Sequence, residues 1–116
     1  MAQDNAGLKA FTSGEALAKH CRVKFGSTKV VTYADAGEAY IGITQHACAN
    51  GDPVTVKLIN ASGTVRIQMA GTCDAGADLY GADDGKASTT SSGSVQFESL
   101  EAATASTDII EALPLG

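Results

Sequence analysis

The sequence predicts an all-β fold, a small β-barrel or β-sandwich of short antiparallel strands with an extended N-terminal arm and at most one short helix. Two observations predict this class. Turn residues recur roughly every 8–12 positions between short runs of alternating or β-branched residues, which is typical of sandwiches and barrels. The 116 residues are also enough for one packed core but too few for two separate ones.

The N-terminal segment has the character of an arm. The first dozen residues show no sustained period, and Leu8 and Phe11 are isolated apolar side chains among polar ones. Thr12 and Glu15 then have the spacing of a helix-capping box, so one or two helical turns could follow. We therefore expect an arm with a short helix in residues 1–18 and a β-domain in residues 19–116.

Strand signals dominate the rest of the chain. They cover residues 21–25, 30–33, 39–43, 54–58, 65–69, 79–80, 94–99 and 108–113, with a tight reversal at 83–86. The best-supported pair is a hairpin of 54–58 with 65–69, because the two runs alternate in matched phase across a short turn at 60–63. Two Ala-rich stretches, 47–54 and 103–110, each end in Asp and a strand. They predict that similar corners recur in the fold.

Charge is divided unevenly along the chain. Residues 1–30 hold five of the eight basic side chains against two acids, whereas residues 31–116 hold three against eleven. Such asymmetry is typical of an interacting segment attached to a folded body. Arg22, Lys24 and Lys29 flank or occupy the first predicted strand, so we assign them to the edge of the body. The candidate docking residues of the arm are then Leu8, Lys9, Phe11 and Lys19.

Composition excludes several function classes. The acidic body lacks the clustered Lys and Arg of nucleic-acid-binding proteins, and no apolar run approaches the ~20 residues of a membrane helix. We therefore expect neither nucleic acid nor membrane as a partner. The chain begins without a signal-peptide pattern. Cys21, Cys48 and Cys73 are accordingly expected to be reduced and to act as small core residues.

No residue pattern makes a strong case for catalysis. His46 and Cys48 are two positions apart, whereas catalytic pairs usually come from separate segments. A zinc site formed by His46, Cys48, Cys73 and either His20 or Cys21 would lack the usual spacing between ligands. The acidic turns depart from the calcium-loop pattern. We expect a protein that is not an enzyme and that carries no cofactor or metal.

Four groups of segments follow one another in a recognisable order. They are TSGEAL (12–17) with RVK (22–24), EAYIGI (38–43) with GDPVTV (51–56), AGADLY (75–80) with DDGK (83–86), and LEAA (100–103) with DIIE (108–111) and LPL (113–115). Together they resemble the small capsid cement, or head-decoration, proteins of tailed bacteriophages. The resemblance covers roughly residues 12–115, and the order of the segments carries it more than any one of them.

The resemblance implies a virion structural protein that is made in the bacterial host cytoplasm and binds the outer surface of the capsid. It implies contacts with the major capsid protein, stabilisation of the contacts between its subunits, and assembly into homotrimers. It implies no catalysis. A short arm laid over a neighbouring subunit would suit this role, because many weak contacts reinforce one another on a shell.

Two other functions stay open at the level of sequence. One is a non-enzymatic β-sandwich binding module of the carbohydrate-binding or adhesin type, for which Tyr33, Tyr40 and Tyr80 are the available aromatic platforms. The other is a small hydrolase that uses His46.

Overall fold

The described chain is built almost entirely of short strands. The computed structural model describes residues 8–27, 29–59 and 63–115, so residues 1–7 of the predicted arm and 60–62 of the predicted hairpin turn lie outside it. The strands are β1 Leu8–Ser13, β2 Arg22–Ser27, β3 Val30–Tyr33, β4 Gly42–Thr44, β5 Pro53–Leu58, β6 Val65–Gln68, β7 Asp78–Gly81, β8 Ala87–Ser88, β9 Phe97–Ser99 and β10 Ile109–Pro114. A three-residue 3-10 turn at Asp83–Gly85 makes the predicted reversal. The predicted all-β class is confirmed.

The first five strands close into a small barrel in the order β1-β3-β2-β4-β5. All neighbours are antiparallel except β1 and β3, which pair in parallel through Thr12↔Val30 and Ser13↔Val31. Alternate side chains point to opposite faces of a strand, so one set fills the barrel. This first core contains Phe11, Leu17, Val23, Val31, Val54 and Val56.

The last five strands repeat this topology strand for strand. Their sheet has the order β6-β10-β9-β7-β8, and a parallel bridge between Met69 and Ala87 joins its two edges. The pairs β6–β10, β10–β9, β9–β7 and β7–β8 are antiparallel, as are β1–β5, β5–β4, β4–β2 and β2–β3. The chain therefore contains two copies of one five-stranded unit, repeat 1 (residues 8–58) and repeat 2 (residues 64–114).

The same backbone corner occurs twice in each repeat. Leu17 and Cys48 form an isolated antiparallel bridge in repeat 1, and Cys73 and Ala103 form one in repeat 2. Three or four residues after each bridge residue, φ is positive, at His20 (57°), Gly51 (87°), Gly76 (81°) and Thr107 (71°). Glycine adopts this conformation at no steric cost, which explains its use at two of the four positions. The predicted similarity of corners 47–54 and 103–110 is confirmed.

Polar side chains hold these corners in place. Ser13, Thr44 and Ser99 each donate a side-chain hydrogen bond to a carbonyl oxygen of the opposite corner, at 2.8, 2.7 and 2.6 Å. Met69 occupies the equivalent position for the fourth corner and has no hydroxyl. There the Asp108 carboxylate accepts two backbone N–H groups of the corner instead. These bonds hold the pKa of Asp108 below its ordinary value.

The two repeats meet through unlike surfaces. Val23 points into the first barrel, so its neighbour Arg22 points outward beside Ile43; these two side chains define the wall of repeat 1. This wall covers the mouth of repeat 2, the end of the second sheet lined by Gly81, Ala82, Lys86 and Gln96. Ala34, Tyr40 and Ile43 of repeat 1 thereby join the core of repeat 2. The described chain thus has two hydrophobic core clusters, so the expectation of a single core is wrong.

The guanidinium of Arg22 is fully buried at this joint (0% exposed). Its Nε donates to the Lys86 carbonyl oxygen (3.1 Å), and its Nη2 donates to the carbonyl oxygens of Ala82 (2.6 Å) and Ala34 (2.8 Å). Its Nη1 donates to the Gln96 side-chain oxygen (3.3 Å). The backbone carbonyl oxygens of Glu38 and Asp35 also accept, at 3.3 and 3.2 Å, so all six acceptors are uncharged, and carbonyl and amide dipoles from both repeats hold the charge. Burial lowers the pKa of Arg22 from its ordinary value. The expectation that Arg22 lies at the edge of the body is wrong.

The predicted hairpin is also wrong. β5 pairs with β1 and β4, and β6 pairs with β10. The two strands alternate in matched phase because each turns one face into the core of its own repeat, and this alternation carries no information about which strands pair.

Residues 8–18 belong to the barrel, which corrects the predicted arm. β1 pairs with β5 from Leu8↔Lys57 to Thr12↔Pro53. The predicted helical turns are a corner: the Glu15 carboxylate accepts the Tyr33 backbone N–H (3.0 Å), and Leu17 bridges to Cys48. Glu15 therefore accepts a hydrogen bond from the backbone of β3 and does not cap a helix as predicted.

Replacing Arg22 should loosen the joint. Arg22→Lys keeps the charge but leaves several buried carbonyl oxygens without a donor, which should lower the free energy of unfolding by about 3–5 kcal/mol. Urea denaturation measures this loss. Arg66→Lys, at an exposed position, is the matched control and should change stability by less than about 0.5 kcal/mol. Equal midpoints for Arg22→Lys and the wild type would contradict the role of the joint.

Candidate interaction surfaces

The structure separates the four predicted docking residues. Phe11 is buried (8% exposed) in the core of repeat 1. Leu8 and Lys9 are exposed at the start of β1. Lys19 is exposed in a corner, where its carbonyl oxygen accepts the side-chain amide of Gln68 from repeat 2 (3.3 Å). These residues therefore do not form one patch, and Phe11 has a packing role.

The mouth of repeat 1 is not covered by any of the residues that the structure describes, and it combines apolar and basic groups. We define it by Leu8, Lys9, Phe25 and Lys29, which lie where β1 begins and β2 ends. Phe25 is 54% exposed and packs its edge against Phe11 with ring centroids 5.6 Å apart. Alternation in the sequence places Phe25 on the inner face of its strand. The structure shows in addition that Phe25 lies at the open end of the barrel, where this inner face is exposed.

The wall of repeat 2 is an uncovered surface of the opposite charge. We define it by the outward-facing Asp78, Glu98, Leu100 and Leu113, of which the two leucines are 44% and 40% exposed. Glu98 lies directly opposite Asp78 on one side and Leu113 on the other. Like charges directly opposite in a sheet are destabilising. Within the described ranges the one ion pair is Lys24–Glu38, so neither Asp78 nor Glu98 has a cation within 4.0 Å.

The residues considered for catalysis have structural partners. His46 accepts the Thr55 backbone N–H at Nε2 (3.1 Å), and its Nδ1 lies 3.0 Å from the Ala47 carbonyl oxygen, to which it donates in the neutral tautomer. Both ring nitrogens are thus engaged with backbone, one at Ala47 and the other at Thr55 in β5. Among the residues that the structure describes, no three His, Cys, Asp or Glu side chains come together as a metal-binding group.

The acidic turn next to the joint fixes a loop of repeat 1. The Asp83 carboxylate accepts the Ala36 backbone N–H (3.1 Å), and the Asp84 backbone N–H donates to the Asp35 carboxylate (3.1 Å). These bonds tie together the two segments that supply carbonyl oxygens to the buried guanidinium. The acids of this turn therefore support the joint.

The three tyrosines have three different environments. Tyr40 is buried (7% exposed) against Phe97, and desolvation raises the pKa of its hydroxyl to about 12. The Tyr33 hydroxyl accepts the Ala18 backbone N–H (2.8 Å). Tyr80 is half-buried in β7, on the outward-facing side of repeat 2. In the described part of the chain they form no shared platform of the kind that binds sugars.

A polar cleft of about 240 Å³ lies between the repeats, beside the joint. It is lined by His20, Gln45, Lys57, Thr64, Val65, Arg66 and Glu111. The His20 Nδ1 atom is buried there with no hydrogen-bond partner among the described residues. Burial, and then the charges of Lys19 and Arg66, lower the pKa of His20 from its ordinary value.

In the described ranges, no helix combines the length and apolar character needed to cross a membrane.

Comparison with solved structures identifies a protein of similar fold. The chain matches no protein-family model and no curated protein sequence. Its fold is similar to the crystal structure of the head fiber gp8.5 N base of bacteriophage phi29, with a TM-score of 0.75, 13% sequence identity and 92% of each chain covered. At this identity the likeness shows a shared fold, and it extends over both repeats.

The cysteines should differ in reactivity because they differ in burial. Cys21 is fully buried and desolvation raises its pKa to about 11, so its reactive thiolate form is scarce at neutral pH. Cys73 is 8% exposed and Cys48 is half-buried. Mass spectrometry after iodoacetamide treatment should find Cys48 alkylated first and Cys21 alkylated only after unfolding. Equal rates at Cys48 and Cys21 in the native protein would contradict this assignment.

Stability should fall when His20 becomes protonated. Its pKa is lower in the folded state than the ordinary value of 6.5, so the unfolded chain binds more protons in this range. The contribution of neutral His20 is therefore fully present above pH 6.5 and is lost as pH falls below it. His20→Asn, which accepts the positive φ, should weaken the fall in urea midpoint between about pH 7 and pH 5.5. An unchanged pH dependence in this variant would refute the explanation.

Proposed function

We propose that this chain is a capsid decoration protein that binds the outer surface of a bacteriophage head. The observation that carries the proposal is the fold, which matches the phi29 head fiber base over 92% of both chains. The ordered segments that resemble capsid cement proteins support the same assignment independently of that fold. The partners are the major capsid protein and further copies of the same chain, assembled as a homotrimer.

The structural features suit a protein that must stay rigid on a shell. Four hydrogen-bonded corners and a buried guanidinium fix ten short strands, so little conformational entropy remains to be lost on binding. The exposed surfaces carry unpaired charge and apolar groups in small patches. Weak contacts of this kind become effective when many copies bind one shell.

Phe11 is in the core, which leaves three exposed docking candidates from the predicted arm. Leu8 is the apolar one, at the start of β1. Lys9 and Lys19 are exposed, and we assign them to contacts with an acidic or mixed surface of the major capsid protein. Deleting residues 1–18 would remove β1 and a corner, so it cannot test docking alone. Charge reversal is the suitable test.

The first prediction concerns location. The protein should sediment with intact virions, be accessible to antibodies on them, and be released by mild denaturant while the shell stays closed. Mass spectrometry of the released fraction detects it. If purified virions lack the chain, or if antibodies reach it only after the shell is opened, the proposal of an outer decoration protein is wrong.

The second prediction concerns docking. Lys9→Glu with Lys19→Glu should weaken binding to undecorated capsids roughly tenfold, equivalent to about 1.4 kcal/mol, and the loss should shrink as salt screens the charges. Cosedimentation measures the affinity. Arg66→Glu, at an exposed basic site on repeat 2, is matched in charge to each single variant, Lys9→Glu or Lys19→Glu, and should bind nearly as well as the wild type. A loss with Arg66→Glu equal to that of the single variants would exclude a specific role for Lys9 and Lys19.

A further inference from the structure

The joint inside one chain uses one surface of each repeat and leaves the other two uncovered. The wall of repeat 1 covers the mouth of repeat 2, where Arg22 reaches the carbonyl oxygens of Ala82 and Lys86. Within residues 8–27, 29–59 and 63–115, the mouth of repeat 1 and the wall of repeat 2 have no such cover, and they hold four exposed large apolar side chains, Leu8, Phe25, Leu100 and Leu113.

The two uncovered surfaces are the structural equivalents of the two joined ones. Arg22 and Asp78 each lie five residues after a bridge residue, and the cross-strand pair Arg22↔Ile43 corresponds in register to Asp78↔Glu98. At the mouths, Phe25 pairs with Val31 just as Gly81 pairs with Ala87. The uncovered wall and mouth could therefore meet with the geometry that the joined wall and mouth already have.

The two mouths differ in the size of one equivalent side chain, and the smaller residue lies at the mouth that the chain itself covers. A Cβ atom at Gly81 would lie 2.8 Å from the Arg22 guanidinium, so glycine is needed where the wall of repeat 1 enters. The equivalent residue of repeat 1, Phe25, is large and exposed. It provides an apolar contact for a surface that lies against the mouth from outside.

The charges of the two uncovered surfaces are complementary. Repeat 1 has six basic and four acidic side chains, and repeat 2 has two basic and eight acidic ones, giving net charges of +2 and −6. The uncovered mouth carries Lys9 and Lys29, whereas the uncovered wall carries the directly opposed Asp78 and Glu98. Contact between wall and mouth would bring cations to this like-charged pair, whereas contact between two walls would double the repulsion.

We propose that copies of this chain join head to tail, with the wall of repeat 2 of one copy against the mouth of repeat 1 of the next. The contact repeats the joint that already connects the repeats within a chain. It is heterologous, so it continues until a ring closes or a filament forms. The proposal deepens the self-association included in the proposed function, because it names the surfaces through which the copies meet.

Two variants with opposite defects test the proposal. The wall variant carries Asp78→Thr, Glu98→Thr and Leu113→Thr, which removes its charge and its apolar contact while keeping strand-forming side chains. The mouth variant carries Phe25→Thr and Lys29→Asp, and Asp accepts the positive φ of position 29 (61°). Circular dichroism should show that both fold. A control with Asp52→Thr and Asp74→Thr removes two exposed acids that lie in corners.

Sedimentation velocity at low salt measures the result. The wild type and the control should form rings or filaments, and each variant alone should be monomeric. An equimolar mixture of the two variants should form dimers and nothing larger, because one working wall meets one working mouth. Dimers of the mouth variant alone, a mixture that stays monomeric, or wild-type protein that stays monomeric at all concentrations would each overturn the proposal.

Failure of the docking residues and failure of this contact can be distinguished. If the protein with Lys9→Glu and Lys19→Glu binds capsids as tightly as the wild type, while wild-type copies still associate head to tail, the inference stands and the docking residues are excluded. A wild-type trimer that neither variant disturbs would keep the proposed homotrimer and exclude this contact.

Discussion

The buried guanidinium of Arg22 is the interaction on which the rest of the structure depends. Its donors are satisfied by carbonyl oxygens of both repeats, so the two units cannot separate without exposing an unpaired cation site and several unpaired acceptors. A buried charge without a carboxylate partner is costly unless its hydrogen bonds are complete. The environment is built accordingly. Glycine at position 81 leaves room for the guanidinium, and the bonds of Asp83 and Asp84 fix the carbonyl-bearing loops.

The duplication explains why the molecule has two exposed surfaces of opposite character. Two equivalent units each have a wall and a mouth, and a single joint can cover only one of each. The covered pair fits closely, with Arg22 against Gly81, whereas the uncovered pair carries charge and exposed apolar groups, with Asp78 and Phe25 at the equivalent positions. Three of the four corners are held by the same kind of hydrogen bond, from Ser13, Thr44 or Ser99, and the fourth is held by the Asp108 carboxylate.

Local features of the fold could be predicted from the sequence, but contacts between distant segments could not. Alternation predicted the strand at residues 54–58, and the similarity of 47–54 to 103–110 predicted recurring corners. The same alternation led to the wrong prediction that β5 pairs with β6. A period-2 pattern shows that a strand has one buried face, but it does not show which strand lies beside it. Arg22 is one of the basic residues that flank or occupy the first predicted strand, so the sequence assigned it to the edge of the body. Only the second repeat, about 60 residues further along, shows what covers it, and the exposure of Phe25 depends in the same way on where the barrel ends.

The most direct test of this account is the nuclear magnetic resonance spectrum of the arginine side chains. If Arg22 holds the joint, its guanidinium protons should give separate, slowly exchanging signals with cross-peaks to residues near Ala82 and Lys86, while Arg66 gives one averaged and rapidly exchanging signal. A spectrum in which the Arg22 and Arg66 side chains are both averaged and rapidly exchanging would contradict the buried joint, and with it the arrangement of the two repeats.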